Sequence, residues 1–189
     1  MAKDHPTPTG PIAPDLRILE TRVYRGPNVW SYAPAIHLVV DLGVLEGYPS
    51  DSIDGLTDAL VALLPGLQRH TCSVGHAGGF IERLEDRTWA RRVALELQST
   101  AGHDLRRGKT RMVKGRPGVY NVIFGYVDET VGIAAGELAV RLINHLVQPT
   151  DGFDFTERLG AFWRGAGRGA FGPPTAAIIE EAVSRDIPW

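Results

Sequence analysis

The sequence predicts an α+β domain in which helices pack on one face of a mainly antiparallel sheet, in the order β-β-α-α-β-β-α. Two pairs of short segments with apolar residues at alternate positions flank turns rich in glycine and proline, which is typical of neighbouring antiparallel strands. Three longer segments carry apolar residues three and four positions apart, which is typical of helices with one buried face.

The first strand pair is predicted at residues 16–24 and 35–42. Between them lies Arg-Gly-Pro-Asn-Val-Trp at 25–30, whose glycine, proline and asparagine are typical of a turn. The second pair is predicted at 110–113 and 119–127, around a Lys-Gly-Arg-Pro-Gly turn at 114–118. In the last strand one face is apolar, while Gly125 lies on the other face and leaves a gap in its row of side chains. The apolar face consists of Tyr120, Val122, Phe124 and Tyr126.

The first two helices flank a glycine-rich loop at residues 70–80. The first is predicted over 51–64, with Asp54 as its cap and Leu-Pro-Gly at 64–66 as its end. Its apolar stripe consists of Ile53, Leu56, Leu60, Leu63 and Leu64. The second helix runs from about Trp89 to Ala101, where Gly102 ends it.

The third helix is predicted from a cap at Asp128 to Val147. Its inward face consists of Val131, Ala135, Leu138, Leu142 and Leu146. We therefore expect a folded domain at residues 15–149. It is preceded by a disordered, proline-rich leader at 1–14 and followed by a tail at 150–189 with little to pack against.

Composition narrows the function classes. A chain of 189 residues can bury a hydrophobic core that is stable without disulfides or structural metal ions. Its net charge of −2 implies no bulk attraction to nucleic acid or to an anionic membrane. The single cysteine excludes an internal disulfide and suits a reducing compartment. No apolar run approaches the roughly 18 residues of a membrane span, and the first fifteen residues lack the apolar core of a signal peptide. We therefore expect a cytoplasmic protein.

The loop between the first two helices holds the candidate metal ligands. His70, Cys72 and His76 form a His-x-Cys-x3-His cluster, for which His103 offers a fourth ligand. This spacing is not one of the strong zinc patterns, and Cys72 reads equally well as a small buried hydrophobe. A Cys–His nucleophile has no identifiable orienting residue either. We expect no metal, no cofactor and no catalytic residue here.

Eight cations form the clearest charge feature. Six of them lie in or beside the second hairpin, and two lie in the second helix, so together they predict a basic groove that binds carboxylates through directional guanidinium contacts. The alternative interpretation is a solvated hairpin. Nucleic acid is disfavoured because the acidic residues of segment 82–86 oppose phosphate. The eight residues are Arg91, Arg92, Arg106, Arg107, Lys109, Arg111, Lys114 and Arg116.

Several segments, taken in order, resemble the N-terminal domain of cyanophycin synthetase. They are RGPNVW (25–30), DLGVLEGYPS (41–50), LLPGLQRHTCSVGHAGGFIERL (63–84), VALELQSTAG (93–102), GKTR (108–111) and GRPGVYNVIFGYVDE (115–129). The tail segments FDFTERL (153–159) and GPPTAAIIEEAVSRDIPW (172–189) resemble the family's entry into its ATP-grasp domain. In the family, ATP-grasp and Mur-ligase-like domains then add aspartate and arginine to a growing polymer. Because neither domain is present here, the resemblance implies that this chain alone is not a ligase.

Some members of the family carry a hydrolytic zinc site in this domain, with a pattern that resembles His-x-x-Glu-His on the second helix. Here the stretch between Trp89 and Val93 is about four residues shorter than in the family, roughly one helical turn, and its histidines are gone. Gly125 stands where the family often has a glutamate, and Arg91 and Arg92 would repel a divalent cation. The resemblance therefore implies that the hydrolytic site is lost.

Three functions follow from the resemblance. The first is a non-catalytic domain that binds or anchors the aspartate–arginine polymer cyanophycin during its synthesis. The second is a zinc hydrolase of the same polymer with a rearranged site. The third is an oligomerisation scaffold, whose partners are further copies of the chain or the ligase domains of the family.

The lost histidine pair and Gly125 lead to a prediction about metal content. After dialysis, purified protein should contain well under one zinc ion per chain by elemental analysis, and it should not shorten the polymer. Near-stoichiometric zinc that is lost in the His70→Ala or His76→Ala variant would contradict this prediction.

Overall fold

A computed structural model describes residues 15–48, 53–69, 89–169, 177–178, 181–182, 184–185 and 187. Four strands and four α-helices have their bounds within residues 15–169. The strands are β1 (Arg17–Tyr24), β2 (Ala35–Asp41), β3 (Gly108–Met112) and β4 (Val119–Gly125). The α-helices are α1 (Leu56–Leu63), α2 (Trp89–Thr100), α3 (Glu129–Val147) and α4 (Phe155–Gly169). Short 3-10 helices cover Gly43–Gly47 and Pro65–Arg69.

The four strands form one antiparallel sheet in the order β1-β2-β4-β3. This confirms the α+β class and both predicted strand pairs. The central pair, β2 and β4, keeps a continuous register from Ala35 opposite Gly125 to Asp41 opposite Val119. The bounds of the second hairpin differ from the prediction: β3 begins at Gly108 rather than residue 110, and β4 ends at Gly125 rather than 127.

One face of the sheet carries the hydrophobic core. Ile36 and Leu38 of β2 and Val122 and Phe124 of β4 are buried there with apolar residues of all four helices. The alternation along each strand puts His37, Val39, Asn121 and Ile123 on the other face. The four described helices therefore cover one face of the sheet, as the period-two pattern predicts, and none of them covers the second face.

Two glycines bring α3 unusually close to the sheet. A Cβ atom at Gly136 would lie 2.8 Å from Leu38 Cδ1 and 3.1 Å from Phe124 Cζ. At Gly132 it would lie 2.8 Å from Cβ of Tyr126. Because interiors are packed at crystal-like density, α3 reaches this position only without side chains at these two places.

Several predicted helix boundaries hold, and one cap is wrong. The Asp128 side chain accepts a hydrogen bond of 2.9 Å from Val131 N at the start of α3, and Gly102 has a left-handed φ of 93° after α2, both as predicted. The first helix begins later than predicted, at Leu56, and Gly55 with φ 71° precedes it instead of Asp54. Leu63, predicted to be on its buried stripe, is 37% exposed because the helix ends there.

The described first part of the tail, residues 150–169, has packing partners. Contrary to our expectation for residues 150–189, α4 packs on α3, and its Phe155 and Phe162 are buried in the core. Trp163 Nε1 also donates a hydrogen bond of 3.0 Å to Thr100 Oγ1 at the end of α2. The glycine- and arginine-rich segment after Trp163 continues the helix to Gly169. Apolar residues at helical spacing therefore outweigh the low helix propensity of glycine here.

Helix α3 is long and apolar enough, by length and composition, to cross a membrane. This is a weak indication by itself, because the core helix of a globular domain meets the same criterion. Half of the stretch is buried inside the fold, where it packs between the sheet and the other helices.

The close approach of α3 predicts that Gly136→Ala lowers the free energy of unfolding. Overpacking a core typically costs about 1–3 kcal/mol, which exceeds the gain of about 1 kcal/mol in helix propensity. Gly165 in α4 is a matched control, because a Cβ there would meet nothing within 4 Å. Urea denaturation should show Gly136→Ala destabilised and Gly165→Ala unchanged or stabilised; equal stabilisation of both would contradict the packing argument.

The buried phenylalanines of α4 predict that its amides exchange slowly with solvent. Truncating a buried aromatic residue typically costs about 3–5 kcal/mol, so Phe162→Ala should release α4 and speed its exchange while Val122 in β4 stays protected. Thr156→Ala, at an exposed position of the same helix, should leave exchange unchanged. If α4 exchanges rapidly in the unmodified chain, its docking on α3 is not maintained in solution.

Candidate functional site

The loop between β1 and β2 is ordered by one asparagine. The Asn28 amide donates hydrogen bonds to the carbonyls of Gly26 (2.9 Å) and Ala33 (3.2 Å). Its Oδ1 accepts from the backbone N–H groups of Trp30 (2.9 Å) and Ser31 (3.0 Å). Asparagine is favoured at such turns because its short amide side chain can replace backbone partners. Asn28 thus explains why the Arg-Gly-Pro-Asn-Val-Trp segment forms a compact loop.

This loop covers part of the sheet face opposite the helices. The Trp30 ring contacts the His37 ring edge-on with centroids 5.4 Å apart, and Tyr24 stacks on the same imidazole at 6.2 Å. His37 is only 2% exposed, and its Nε2 lies 2.8 Å from Asn121 Oδ1 on β4. The contact between Trp30 and this buried histidine anchors the loop on the sheet. Tyr32, at the tip of the loop, is 96% exposed.

On the helical side, α2 is tied to the end of the sheet. Arg91 Nη1 donates a hydrogen bond of 2.6 Å to the carbonyl of Gly108, and Gln98 Nε2 donates one of 3.2 Å to the carbonyl of Gly125. A Cβ at Gly108 would lie 2.6 Å from Arg91 Cδ, so only glycine lets this side chain lie across β3. Arg91 therefore sits at the edge of the sheet rather than in solvent.

A groove runs between the β1–β2 loop and α2, along the edge of β3. We call it the β3 groove. Its volume of 1660 Å³ exceeds the roughly 300–1,000 Å³ of small-molecule pockets, so its size suits an extended ligand. Among the described residues its lining consists of residues 28–35, Gly66, Arg91, Arg92, Leu95, Glu96, Ser99, Gly102, 104–111 and 123–126.

Six of the eight predicted cations line the β3 groove. They are Arg91, Arg92, Arg106, Arg107, Lys109 and Arg111. Lys114 and Arg116 do not line it: they lie in the exposed turn between β3 and β4. The structure thus brings the helix pair and most of the hairpin cations together, although they are separated by more than a dozen positions in sequence.

Two of the exposed cations of the groove have partners within the chain. Lys109 Nζ donates a hydrogen bond of 3.0 Å to the carbonyl of Trp30 and so joins β3 to the β1–β2 loop. Arg106 makes two hydrogen bonds to Asp104, at 3.2 Å and 3.1 Å, and this contact raises the pKa of its guanidinium. Both side chains of that pair are exposed, so the pair is weak and can exchange partners.

Sequence reasoning missed two parts of the groove. Glu96 of α2 is buried, and a Cβ at Gly66 would overlap its carboxyl group, so this glycine makes room for the Glu96 side chain in the wall. The second missed part is the β1–β2 loop with Trp30 and Tyr32, which forms the opposite wall. Nothing in the local sequence signals either contribution, because each depends on a residue distant in the chain.

The candidate metal ligands His70, Cys72 and His76 lie outside the described residues. Segment 82–86, with the acidic residues weighed against nucleic acid, also lies outside them. Within the described part of the chain, no three His, Cys, Asp or Glu side chains are grouped so that they could hold a metal ion. His103, the suggested fourth ligand, lies beside Trp163 and Ala166 in a surface depression between α2 and α4.

Comparison with known proteins identifies relatives. The chain is 41% identical over 189 residues to a cyanophycin synthetase of Synechocystis sp., and 40% identical over 182 residues to one of Geminocystis herdmanii. A cyanophycin synthetase of Crocosphaera subtropica is also 40% identical, over 183 residues. Each match covers 92% of this chain but only 21% of the relative, so the chain spans about a fifth of the length of these proteins.

A family model described as the cyanophycin synthase-like N-terminal domain matches residues 37–148. The match runs from β2 to just past the end of α3 and therefore includes α2, β3 and β4 of the groove. It covers more than half of the chain. The chain belongs to the cyanophycin synthase-like N-terminal domain family.

Proposed function

We propose that this domain binds or anchors cyanophycin, the aspartate–arginine polymer, in the β3 groove during synthesis of the polymer, without itself catalysing a reaction. The single observation that carries the proposal is the gathering of six cations along one groove of a chain whose net charge is −2. Positive charge concentrated in a cleft attracts anionic groups even where the overall charge is slightly negative.

The geometry of the groove suits a repeating ligand. Lys109 and Arg111 are two positions apart on β3, and Arg106 and Arg107 directly precede the strand. Each exposed ion pair with a carboxylate is weak by itself. A polymer that presents carboxylates at regular intervals can engage several of these cations at once, and linked contacts raise the overall affinity without any single strong one.

The groove also has partners for the arginine part of the polymer. Asp104 supplies an exposed carboxylate among the cations, and Tyr32 presents an exposed aromatic ring at the rim. A guanidinium group binds a carboxylate with two parallel hydrogen bonds and stacks on an aromatic face. A groove with both signs of charge fits a ligand with both signs better than it fits nucleic acid, whose backbone is only negative.

The two other functions derived from the resemblance are not favoured by an observation on the described residues. A zinc hydrolase requires a ligand set, and three of its four candidates, His70, Cys72 and His76, lie outside those residues. A scaffold for oligomers does not account for cations gathered in a groove.

The proposed compartment is the cytoplasm, and the proposed partners include the ligase domains of the same family. We also propose that the chain divides into a folded domain at residues 15–149 and a tail that follows it. Helix α4 belongs to the tail and packs on α3 of the folded domain.

The proposal predicts that replacing Arg106, Arg107 and Lys109 together by alanine weakens retention on insoluble polymer. Retention of the unmodified chain should rise with polymer length and fall with added salt, because screening acts on exposed charges. The triple variant should lose most of this salt-dependent retention. Its thermal midpoint should change little, since surface substitutions usually stay within about 0.5 kcal/mol. Co-sedimentation at two salt concentrations measures the effect.

A matched control removes three exposed cations elsewhere, Arg141, Arg158 and Arg164 on α3 and α4. It changes the net charge by the same amount but leaves the β3 groove intact, so it should sediment with the polymer as the unmodified chain does. Equal losses in the two triple variants would mean that binding follows net charge rather than the groove. No loss in the groove variant would mean that its cations are only a solvated surface.

A further inference from the structure

We propose that the polymer binds as an additional β-strand, with its amide-linked main chain paired to the outer edge of β3. This inference rests on the proposed function and specifies how the groove holds its ligand. Strand β3 lies at the end of the sheet, and among the described residues no strand pairs with its other side. Addition of an extended segment to such an edge is a recurrent mode of peptide recognition.

The hydrogen-bond pattern shows which groups of β3 point outward. Arg107 O accepts from Gly125 N at 3.1 Å, and Val113 N donates to Val119 O at 2.8 Å, both towards β4. In an antiparallel ladder every second residue bonds to the same neighbour. Lys109 and Arg111 therefore also bond to β4, and the backbone groups of Gly108, Thr110 and Met112 face the groove. The bond from Arg91 to the carbonyl of Gly108 agrees with this direction.

Arg91 thus covers one end of the edge, and within the described part of the chain no hydrogen bond occupies the outward backbone groups of Thr110 and Met112. These two residues are separated by the two-residue repeat of a strand, about 6.6–6.8 Å. An extended peptide can therefore match both positions with its own main-chain groups. Uncovered edge groups of this kind are a template for strand addition unless the chain blocks them.

The side chains on both sides of this edge fit the ligand. Lys109 and Arg111 lie on the face opposite the helices, paired with Ile123 and Asn121, whereas Arg91 and Arg92 approach from the helical side. Alternate residues of an added strand point to opposite faces, so carboxylates on both sides of the polymer main chain meet cations. Charge complementarity therefore accompanies main-chain pairing along the same edge.

The same cations argue against a second copy of this chain as the occupant. Two β3 edges paired antiparallel would bring Lys109 and Arg111 of one copy beside those of the other. Like charges on directly opposed strands are destabilising, and natural edge strands use such charges to prevent self-association. The charges on β3 therefore disfavour pairing with a second copy of the chain and favour pairing with a peptide that carries carboxylates.

The test removes one outward donor without touching any charge. Proline at position 110 lacks the N–H that would bond to the polymer, and since this N–H does not point to β4, the ladder within the sheet is preserved. Thr110→Val is the matched control, because it loses the hydroxyl but keeps the N–H. Loss of one main-chain hydrogen bond should weaken polymer binding about 3- to 10-fold in Thr110→Pro and leave Thr110→Val near the unmodified chain.

The outcomes separate this inference from the proposed function. Undiminished binding by a folded Thr110→Pro variant, together with lost binding by the Arg106, Arg107 and Lys109 triple variant, overturns strand addition and leaves the groove as the binding site. If the unmodified chain does not bind polymer, both proposals fail. Equal weakening by Thr110→Val would assign the effect to the side chain and also overturn strand addition.

Amide exchange of the unmodified chain tests the same pairing where Thr110→Pro does not fold. A short soluble aspartate–arginine oligomer should slow exchange at Thr110 and Met112 several-fold. The amides of Lys109 and Arg111, already bonded to β4, should change much less. Protection of all four amides alike, or of none, contradicts the proposed register. Sedimentation that shows a dimer which oligomer dissociates would instead assign the edge to a second copy of the chain.

Discussion

The fold depends on the close contact between α3 and the two central strands. Because Gly132 and Gly136 have no side chains, α3 lies directly on Ile36, Leu38 and Phe124, and its own apolar residues reach α2 and α4 on the far side. A bulkier residue at either position would push the helix away and open the core. With α3 in place, the other helices have one surface to pack against, and all of them gather on the same face of the sheet.

Among the described residues, this arrangement leaves the second face of the sheet without helices, so other segments must cover it. The β1–β2 loop takes part of that role, with Trp30 on the buried His37 and with Asn28 satisfying the backbone groups of the turn. A loop can lie over a sheet only if its polar groups find partners. The asparagine therefore matters for the groove, since it orders the loop that carries Trp30 and Tyr32 in the wall opposite α2.

The edge of β3 combines protection and recognition. A strand at the end of a sheet is prone to unwanted pairing, and cations along it reduce self-association. Here Arg91 covers one outward carbonyl, and Lys109 and Arg111 place charge beside the rest. The same cations are those assigned to the polymer in the proposed function. Lys109 and Arg111 thus serve both purposes, because they repel the β3 edge of another copy and attract a strand that carries carboxylates.

The sequence by itself determined the class of the fold, its four strands, the caps at Asp128 and Gly102, and the resemblance to the family. These features depend on periodicity and on residues a few positions apart. It did not reveal the docking of α4, the role of Gly66 beside Glu96, or the wall formed by the β1–β2 loop. Lys109 and Trp30, for example, are 79 positions apart and meet only because β3 and β1 belong to one folded sheet. Local patterns record which face of an element is apolar, whereas a groove is the space left between elements, and only their packing in three dimensions decides it.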